Sequence, residues 1–457
     1  MRYYSTRSRG EGVNFSTAAL TGLAPDGGLF VPEVIPAYPE AVRASLGSMD
    51  FRDIALETIK PYVYPEISGS TLEDLVQGAY PFTAPLVPVG DRLALELFHG
   101  PTAAFKDFGA RFMSRAFSFL RRNEERPLRI LTATSGDTGG AVADGFFGVP
   151  GIFVTVLYPK GRVSPLQERQ IAGLGGNIGA VAVEGNFDDC QRLVKAAFAD
   201  ERLRKRICLS SANSINVARL IPQTVYYAAG AGRAFAGLTD ADGEATPRKA
   251  GSARLVPGAA FHGPVKGEPL TLAAPSGNFG NLTAGLYALK MGAPIRGFIA
   301  ATNINKTVPD YLESGHYEAR PSLPTISNAM DVGDPSNFER IAAHWPYEEL
   351  RRIVRGVSVT DEETRQTIAG VYRQTGYFLD PHSAVGWKAA DTAVNAGFGA
   401  TAVLATAHPA KFSETVEPLT GPIPVPPSLK TVMEREVRAQ TIPAELSALI
   451  TILEASL

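Results

Sequence analysis

Cysteine is scarce in this sequence, with only Cys190 and Cys208 among 457 residues. So few thiols cannot build a disulfide framework, and they argue against a zinc site held by cysteine. Histidine is also sparse, with six residues, and no cluster of histidine and cysteine suggests a metal centre. We therefore expect no resident metal, and a protein that works in a reducing compartment, the cytoplasm.

An excess of either charge is missing too, because 44 Lys and Arg residues face 46 Asp and Glu residues, a net charge of −2. This balance predicts no strongly basic surface for nucleic acid or for an anionic membrane. No apolar run approaches the length of a transmembrane helix, and the polar residues 1–10 contain no signal-peptide core. The sequence therefore predicts neither nucleic acid nor a membrane as a partner.

The chain does contain an alternation of apolar strands and helices from about residue 91 onwards. The strongest predicted strands are Leu128–Thr134, Gly151–Tyr158, Ile178–Val183, Leu270–Ala274 and Thr401–Thr406. Between them we expect helices, one beginning at Ala141 and another spanning Ile215–Ala229. Strands that alternate with helices indicate βαβ units and a mostly parallel sheet covered on both faces.

One lysine, Lys106, stands in an unusually apolar segment, His99–Gly109. A Gly-Pro pair precedes it, and apolar residues recur at helical spacing from Phe105 to Leu120, which predicts a helix that begins near the lysine. Desolvation and the positive end of the helix dipole both disfavour an ammonium ion there. The neutral amine would be a nucleophile suited to a Schiff base, although a solvated lysine at a helix start is the simpler alternative.

The segment Ser276–Asn281 joins a predicted strand to a predicted helix. Its glycines allow the backbone to approach an anion closely, and the helix N-terminus adds its dipole. It lacks the lysine of a P-loop and the glycine pattern of a dinucleotide site, so a single phosphate monoester fits better than a nucleotide. Taken alone, it could equally be a tight turn of small residues.

Two further junctions of the same kind carry polar side chains. The hydroxyls and amides of Ser135–Gly140 could hold a carboxylate, and Arg219 lies about one helical turn beyond Asn213 and Ser214, a plausible site for a dianion. Because ligands bind at the carboxyl ends of parallel strands, we expect these junctions to meet. Three such junctions and one shielded lysine converge on an aldehyde cofactor that carries its own phosphate.

Six motifs in the same order along the chain resemble those of the threonine synthases: Phe98–Phe108, Ala133–Gly139, Tyr158–Pro165, Ser211–Asn216, Pro275–Asn281 and Thr406–Phe412. Tyr3–Arg7 and Ala24–Phe30 resemble the longer bacterial and fungal branch of that family. The resemblance implies an α/β, two-lobed, tryptophan synthase β-like (fold type II) pyridoxal-phosphate enzyme with mostly parallel sheets and an N-terminal α+β unit. It also implies conversion of O-phospho-L-homoserine and water to L-threonine and phosphate by γ-elimination and β-addition, the last step of threonine biosynthesis.

The resemblance also implies a role for each matching residue. Lys106 would form the Schiff base with pyridoxal 5′-phosphate, Thr406 would meet the pyridine nitrogen, and Asp137 stands where relatives often have an asparagine against the 3′-oxygen. The cofactor phosphate would be cradled by Gly277, Asn278, Phe279, Gly280 and Asn281. The substrate carboxylate would be held by Ser135 and Thr138. The substrate phosphate would be held by Asn213, Ser214 and Arg219, with Lys160 or Arg162.

We divide the chain accordingly into four parts: an N-terminal unit at 1–90, the first part of the catalytic core with the smaller lobe at 91–231, a surface insertion at 232–268 whose composition is that of a mobile segment, and the large cofactor-binding lobe with C-terminal helices at 269–457. The family branch suggests a monomer or a homodimer. A related phospholyase, a serine/threonine dehydratase and a non-catalytic homologue are the alternatives, and the role of His99 stays open.

Overall fold

A computed structural model describes residues 1–240, 263–395 and 399–455 of the chain. Most of the predicted insertion at 232–268 lies outside these residues. The strands among the described residues are β1 (Tyr3–Ser5), β2 (Phe30–Pro32), β3 (Leu86–Val89), β4 (Arg92–Glu96), β5 (Leu128–Ala133), β6 (Ile152–Pro159), β7 (Ile178–Glu184), β8 (Cys208–Ser210), β9 (Leu270–Pro275), β10 (Ile295–Thr302), β11 (Val354–Ser358), β12 (Thr401–Ala405) and β13 (Gln440–Pro443).

The helices connect these strands and cover their faces. In the N-terminal half they are α1 (Phe15–Thr21), α2 (Glu40–Ser45), α3 (Phe51–Val63), α4 (Gly69–Ala79), α5 (Lys106–Leu120), α6 (Asp137–Phe146), α7 (Pro165–Ala172), α8 (Phe187–Ala199), α9 (Glu201–Arg206), α10 (Val217–Leu220) and α11 (Thr224–Phe235). In the C-terminal half they are α12 (Gly280–Met291), α13 (Thr307–Ser314), α14 (Phe338–His344), α15 (Tyr347–Ile353), α16 (Asp361–Thr375), α17 (Pro381–Ala389), α18 (Asp391–Asn395), α19 (Ser413–Thr420), α20 (Pro427–Met433) and α21 (Leu446–Ala455). Short 3₁₀ helices occur at Ile221–Gln223, Asn328–Met330 and Pro409–Phe412.

Two sheets form the centres of two lobes. The larger has the strand order β11-β10-β9-β12-β4-β3 and is parallel except for the β3–β4 pair. The smaller has the order β13-β7-β6-β5-β8 and is parallel throughout. Every residue of β5 and of β9 is buried, as expected for strands that helices cover on both faces. The predicted two-lobed α/β fold is therefore confirmed.

Strands β3 and β13 each pair outside the unit to which the sequence assigned them. Strand β3 lies within the predicted N-terminal unit, yet it pairs with β4 at the edge of the larger sheet. Strand β13 comes near the C-terminus, yet it pairs with β7 in the smaller sheet. The N-terminal ribbon of β1 and β2 is antiparallel, with α1 between its two strands and α2 to α4 after it, and these helices pack on the central core. None of the helices in the described parts of the chain is both long and apolar enough to cross a bilayer.

Two helix predictions were wrong, each for a local reason. Helix α6 begins at Asp137 rather than Ala141, because the Thr134 hydroxyl accepts hydrogen bonds from the backbone N–H groups of Gly136 (2.9 Å) and Gly139 (2.8 Å). The expected helix over Ile215–Ala229 is divided into α10, a 3₁₀ turn and α11. Pro222 lies in that turn, and its missing N–H and fixed ring prevent a continuous helix.

Candidate active site

A cavity of about 880 Å³ lies between the two lobes. Its lining contains all of the predicted site residues but two, namely Lys106, Ser135, Asp137, Thr138, Asn213, Ser214, Arg219, Gly277, Asn278, Phe279, Gly280, Asn281 and Thr406. The carboxyl ends of β4, β5, β8, β9 and β12 lead to these segments, which is where ligands bind in parallel sheets. The N-terminal unit contributes to the wall as well, through Arg7, Leu23 and Leu29.

Lys106 is the first residue of α5, and its side chain is 14 % exposed. Its Nζ lies 3.4 Å from Oδ2 of Asp137 and 4.7 Å from the ring centre of Phe105. Burial lowers the pKa of the Lys106 amine, and the cations Lys411 and Arg219 add to that effect while Asp137 opposes it. Burial at this position therefore shifts the Lys106 amine towards its neutral form, which is the form that reacts with a carbonyl group.

Hydrogen bonds to residues 406–408 and within residues 102–107 fix the turn before Lys106. Ala103 has a φ of 54°, which is unusual for a residue with a side chain, and its carbonyl accepts a hydrogen bond from the N–H of His408 (3.0 Å). The N–H of Phe105 donates to the carbonyl of Thr406 (2.8 Å). Asp107 accepts from the N–H (2.9 Å) and hydroxyl (2.6 Å) of Thr102. These bonds join the lysine segment to the end of β12 and fix where α5 begins.

Asp137 is buried at the start of α6 and contacts three side chains. Its Oδ1 lies 2.8 Å from Nζ of Lys411 and accepts a hydrogen bond from Nε2 of Gln167 (2.9 Å), while its Oδ2 faces Lys106. Burial alone would raise the pKa of Asp137, but Lys411 and Lys106 outweigh it and hold the pKa far below its ordinary value. The carboxylate is therefore an anion between two amines.

The loop between β9 and α12 has the geometry of a phosphate cradle. Phe279 has a φ of 59° and lies directly before Gly280, the first residue of α12. A side chain at Gly277 would be blocked, because its Cβ would lie 2.7 Å from the carbonyl oxygen of Ala329 and 2.8 Å from Cα of Met330. The loop therefore packs directly against the Ala329–Met330 turn, and residues 277–281 line the cavity at the N-terminus of α12, where anions bind.

Two asparagines fix this loop through their side chains. Asn278 donates from Nδ2 to the hydroxyl of Ser214 (2.7 Å) and accepts from the N–H of Ser336 (2.6 Å). The Oδ1 of Asn281 accepts from the hydroxyls of Tyr226 (2.6 Å) and Tyr227 (2.8 Å), whereas its buried Nδ2 has no hydrogen-bond partner within the described residues. A buried N–H donor at a cavity wall without a partner is what an anionic ligand would satisfy.

Arg219 is 1 % exposed in α10, and it lines the same cavity. Its Nη1 donates to the carbonyl of Ala212 (2.6 Å), its Nε has no partner, and no carboxylate pairs with it among the described residues. Burial lowers the pKa of Arg219 to about 10, so the guanidinium stays charged at neutral pH. Nearby, the hydroxyl of Thr132 donates to Oδ1 of Asn213. The result is a buried cation next to polar side chains that forms no salt bridge among the described residues, although the charge of Asp107 is near enough to favour the charged form of the guanidinium.

Thr406 lies at the end of β12, on the opposite side of the site. Its N–H donates to Oγ of Ser383 (3.1 Å), whose hydroxyl donates to Asp380. Asp380 also accepts from Nδ1 of His382 (2.8 Å), and Nε2 of His382 accepts from the N–H of Ala329 (3.2 Å). The same carboxylate thus supports Thr406 and the turn that contacts Gly277.

The structure does not bring Lys160 and Arg162 to this cavity. Nζ of Lys160, which is exposed, lies 3.3 Å from Oε1 of Glu184, and Arg162 lines a separate cavity of about 530 Å³. Both residues follow β6, which is separated by β5 from β8, the strand that leads to the Asn213–Arg219 segment. Sequence order alone could not reveal this displacement.

Several residues at the site were given no role from the sequence, namely Lys411, Gln167, His382 and Arg340. Lys411 lies within the motif Thr406–Phe412, and only its burial distinguishes it from a surface lysine. Arg340 is fully buried and donates to the carbonyls of Phe30 (3.0 Å) and Ile215 (2.7 Å) and to Oδ1 of Asn337 (2.6 Å). Arg340 therefore joins the N-terminal ribbon to the segment that contains Ser214. His99 pairs with the buried Glu96 (2.8 Å) outside the cavity.

The site has a shielded amine, a helix N-terminus that lines the cavity with an unsatisfied donor beside it, and a hydroxyl residue at the end of β12. These groups fit a cofactor that has an aldehyde, a phosphate and an aromatic nitrogen. With the two-lobed fold, these features define a pyridoxal-phosphate-dependent enzyme of fold type II. The family model described as pyridoxal-phosphate dependent enzyme matches residues 258–407. Those described as threonine synthase N terminus and threonine synthase, C-terminal, match residues 2–80 and 383–452.

The chain belongs to the threonine synthase family. It is 39 % identical to the threonine synthase of Escherichia coli over 98 % of both chains, and 41 % identical to that of Haemophilus influenzae over 94 % of both. Among solved structures, it is similar to E. coli threonine synthase with a TM-score of 0.86, 38 % identity and full coverage of both chains. It is equally similar in fold to a pyridoxal-phosphate-bound threonine synthase from Brucella melitensis (TM-score 0.86, 35 % identity), covering 100 % of this chain and 99 % of that one. The activity is that of a threonine synthase, a pyridoxal-phosphate-dependent lyase of threonine biosynthesis.

Proposed function

We propose that the substrate is O-phospho-L-homoserine, which the enzyme converts with water to L-threonine and phosphate. The observation that carries the proposal is Arg219, a buried cation with no carboxylate partner among the described residues, in the wall of the cavity that contains Lys106. A guanidinium kept from water and without a salt bridge favours a dianionic phosphate ester over a neutral hydroxyl. L-Serine and L-threonine carry no phosphate for this charge to bind.

The cofactor is pyridoxal phosphate, and we propose that Lys106 attaches it through its amine. The N–H groups at the start of α12, with residues 277–281, would hold its phosphate, and the Thr406 hydroxyl would meet its ring nitrogen. When bound, it supplies an electron sink for the electron pair left at the substrate α-carbon. Asp137 lies on the Lys106 side of the cavity, where it would face the 3′-oxygen.

The substrate would be oriented by groups at two ends of the cavity. Ser135 and Thr138, at the start of α6, would hold its carboxylate with side-chain hydroxyls and helix N–H groups. At the other end, Asn213, Ser214 and Arg219 would hold its phosphate and stabilise the charge that grows on the leaving oxygen. The released Lys106 amine is the base that we assign to the proton at the α-carbon and then to that at the β-carbon. Phosphate leaves from the γ-carbon, water adds its hydroxyl at the β-carbon, and the two removed protons with the third from water end on the γ-carbon, the α-carbon and the released phosphate.

The experiment compares three reactions of the purified protein. We expect release of phosphate and L-threonine in equal amounts from O-phospho-L-homoserine, and no comparable release of ammonia from L-serine or L-threonine. Arg219→Gln should raise KM for the phosphorylated substrate by about 100-fold, equivalent to about 3 kcal/mol. Arg351→Gln, at an exposed position on α15, is the control and should leave KM unchanged. Ammonia release that exceeds phosphate release would contradict the proposal.

We further propose that the enzyme works in the cytoplasm as a monomer or a homodimer. Cys190 and Cys208 are both free, which is consistent with a reducing compartment. We keep the division of the chain at 1–90, 91–231 and 269–457, which the match of a threonine synthase N-terminus model to residues 2–80 supports at its first boundary. Strands β3, β4 and β13 are the exceptions to it, since each joins the sheet of another unit.

A further inference from the structure

We propose that Lys411 is a positioning residue of the active site: its buried ammonium holds Asp137 as an anion against Lys106 and thereby controls how readily the Lys106 nitrogen carries a proton. The inference rests on the proposed attachment of the cofactor to Lys106. Lys411 belongs to the motif Thr406–Phe412, but, unlike Thr406, it does not itself line the cavity that contains Lys106.

The first step is that Lys411 has a defined place and little freedom. Its side chain is fully buried in the 3₁₀ helix that follows β12. Its Nζ donates to the carbonyl of Thr102 (2.8 Å) and lies 2.8 Å from Oδ1 of Asp137. A buried ammonium costs several kcal/mol unless it is paired, so a lysine retained here requires this carboxylate.

The second step is that the ion pair between Lys411 and Asp137 connects the two lobes. Lys411 follows a strand of the larger sheet, whereas Asp137 begins a helix that follows a strand of the smaller sheet. Gln167, at the start of α7, donates to the same Oδ1 and completes the hydrogen bonds of that oxygen. The other oxygen, Oδ2, is left to face Lys106. Lys411 and Gln167 thus determine which oxygen the Lys106 nitrogen meets.

The third step is electrostatic, and all of the charged groups around the pair contribute. Asp137 is surrounded by Lys106, Lys411 and, further away, His382, while Lys106 also senses Arg219. Asp137 favours a proton on the Lys106 nitrogen, and Lys411 opposes it both as a like charge and by sharing the carboxylate. Removal of Lys411 leaves the whole carboxylate charge to Lys106, so the proton on its nitrogen should be held more tightly.

The test uses the holoenzyme and follows its visible cofactor absorption as a function of pH, because the absorption changes when the nitrogen contributed by Lys106 loses its proton. Asp137→Asn should lower the midpoint of this titration, since it removes the anion. Lys411→Met should raise the midpoint by about one pH unit, the usual effect of one charge at this range. A structural role for Lys411, confined to its bond with Thr102, predicts no shift in the midpoint.

The double variant Asp137→Asn/Lys411→Met separates an electrostatic role of Lys411 through Asp137 from a structural role through its bond with Thr102. In the Asp137→Asn background the carboxylate that Lys411 shares with Lys106 is absent, so Lys411→Met should shift the midpoint by less than it does in the wild-type background. An equal shift in both backgrounds, or no shift in the single variant, would overturn the proposal. If Lys411→Met does not fold, Lys411→Gln is measured instead, since it keeps an N–H donor for Thr102. A wild-type protein with no visible absorption would refute the proposed function rather than this inference.

Discussion

The substitution Gly277→Ala tests the phosphate cradle most directly, because the clash that it creates involves backbone atoms alone. The new methyl group would lie 2.7 Å from the carbonyl oxygen of Ala329 and 2.8 Å from Cα of Met330. Neither atom can rotate away as the end of a side chain could. The turn they belong to is tied at two points, by the bond from the N–H of Ala329 to Nε2 of His382 (3.2 Å) and by the bond from the N–H of Met330 to Ser327 (2.9 Å).

The magnitude follows from the two ways in which the strain can be relieved. If the loop stays in place, the overpacking costs about 1–3 kcal/mol of folding free energy. If instead the loop moves into the cavity, the N–H groups at the start of α12 no longer meet the cofactor phosphate. The same 1–3 kcal/mol then appears as weaker binding of pyridoxal phosphate, by about 5- to 150-fold. We expect weaker binding of the cofactor, because the loop can move into the adjacent cavity whereas hydrogen bonds hold the Ala329–Met330 turn in place.

The assay titrates apoprotein with pyridoxal phosphate and follows the visible absorption, and a thermal melt of the apoprotein measures stability in parallel. The matched control is Gly370→Ala in α16, where an added Cβ would meet no atom within 4 Å. That change should leave cofactor affinity unaltered and stabilise the helix by up to about 1 kcal/mol. If Gly277→Ala changed neither the dissociation constant nor the melting temperature, the cradle would not have the tight packing described here.

Three further predictions concern single side chains. Lys106→Ala should abolish the visible absorption of the bound cofactor and lower kcat by about 10³-fold or more, whereas Lys290→Ala at the exposed end of α12 should change neither. Burial lowers the pKa of His408 to about 3 from its ordinary 6.5, so its contribution to stability is complete above pH 6.5 and is lost as the pH falls towards 3. His408→Asn should therefore reduce, by about 1 kcal/mol, the loss of stability between pH 7 and pH 5.5 measured by urea unfolding, and an unchanged loss would contradict the assignment. Arg340→Met leaves three buried acceptors unsatisfied and should cost about 3 kcal/mol in the same unfolding experiment, a cost that an exposed change such as Arg351→Met would not show.

The parallel strands were predictable because each combines an apolar run with a turn signal on either side. β5, β6, β7, β9 and β12 all lie within a residue or two of their expected bounds. The starts of α6 and α11 were not predictable in the same way. The first depends on the Thr134 hydroxyl, which reaches N–H groups two and five residues ahead, and the second on how the chain turns at Pro222. The spacing of apolar residues does not predict such local hydrogen bonds.

For the candidate site, the sequence predicted the segments better than the contacts. The loops that contain Lys106, Asp137, Gly277 and Arg219 were found from their position after strands, and the structure brings them to one cavity. The order of strands within a sheet is not contained in their order along the chain, which is why the sequence did not show that Lys160 lies away from the cavity lined by Arg219. Lys411 was given no role from the sequence for a different reason. Its role depends on burial and on a partner in the other lobe, neither of which a local pattern expresses.

The pairing of β13 with β7 has a consequence for the exposed margin of the smaller sheet. Residues 440–443 run alongside residues 181–184, and Leu449 and Leu453 of α21 pack onto the apolar layer beneath. A chain shortened before Gln440 would therefore leave a row of free amide and carbonyl groups on an apolar strand, ready to pair with another molecule. Strand β13 forms the edge of that sheet instead, and its polar Gln440 and Thr441 and its Pro443 make it less suited than an apolar strand to pairing between molecules.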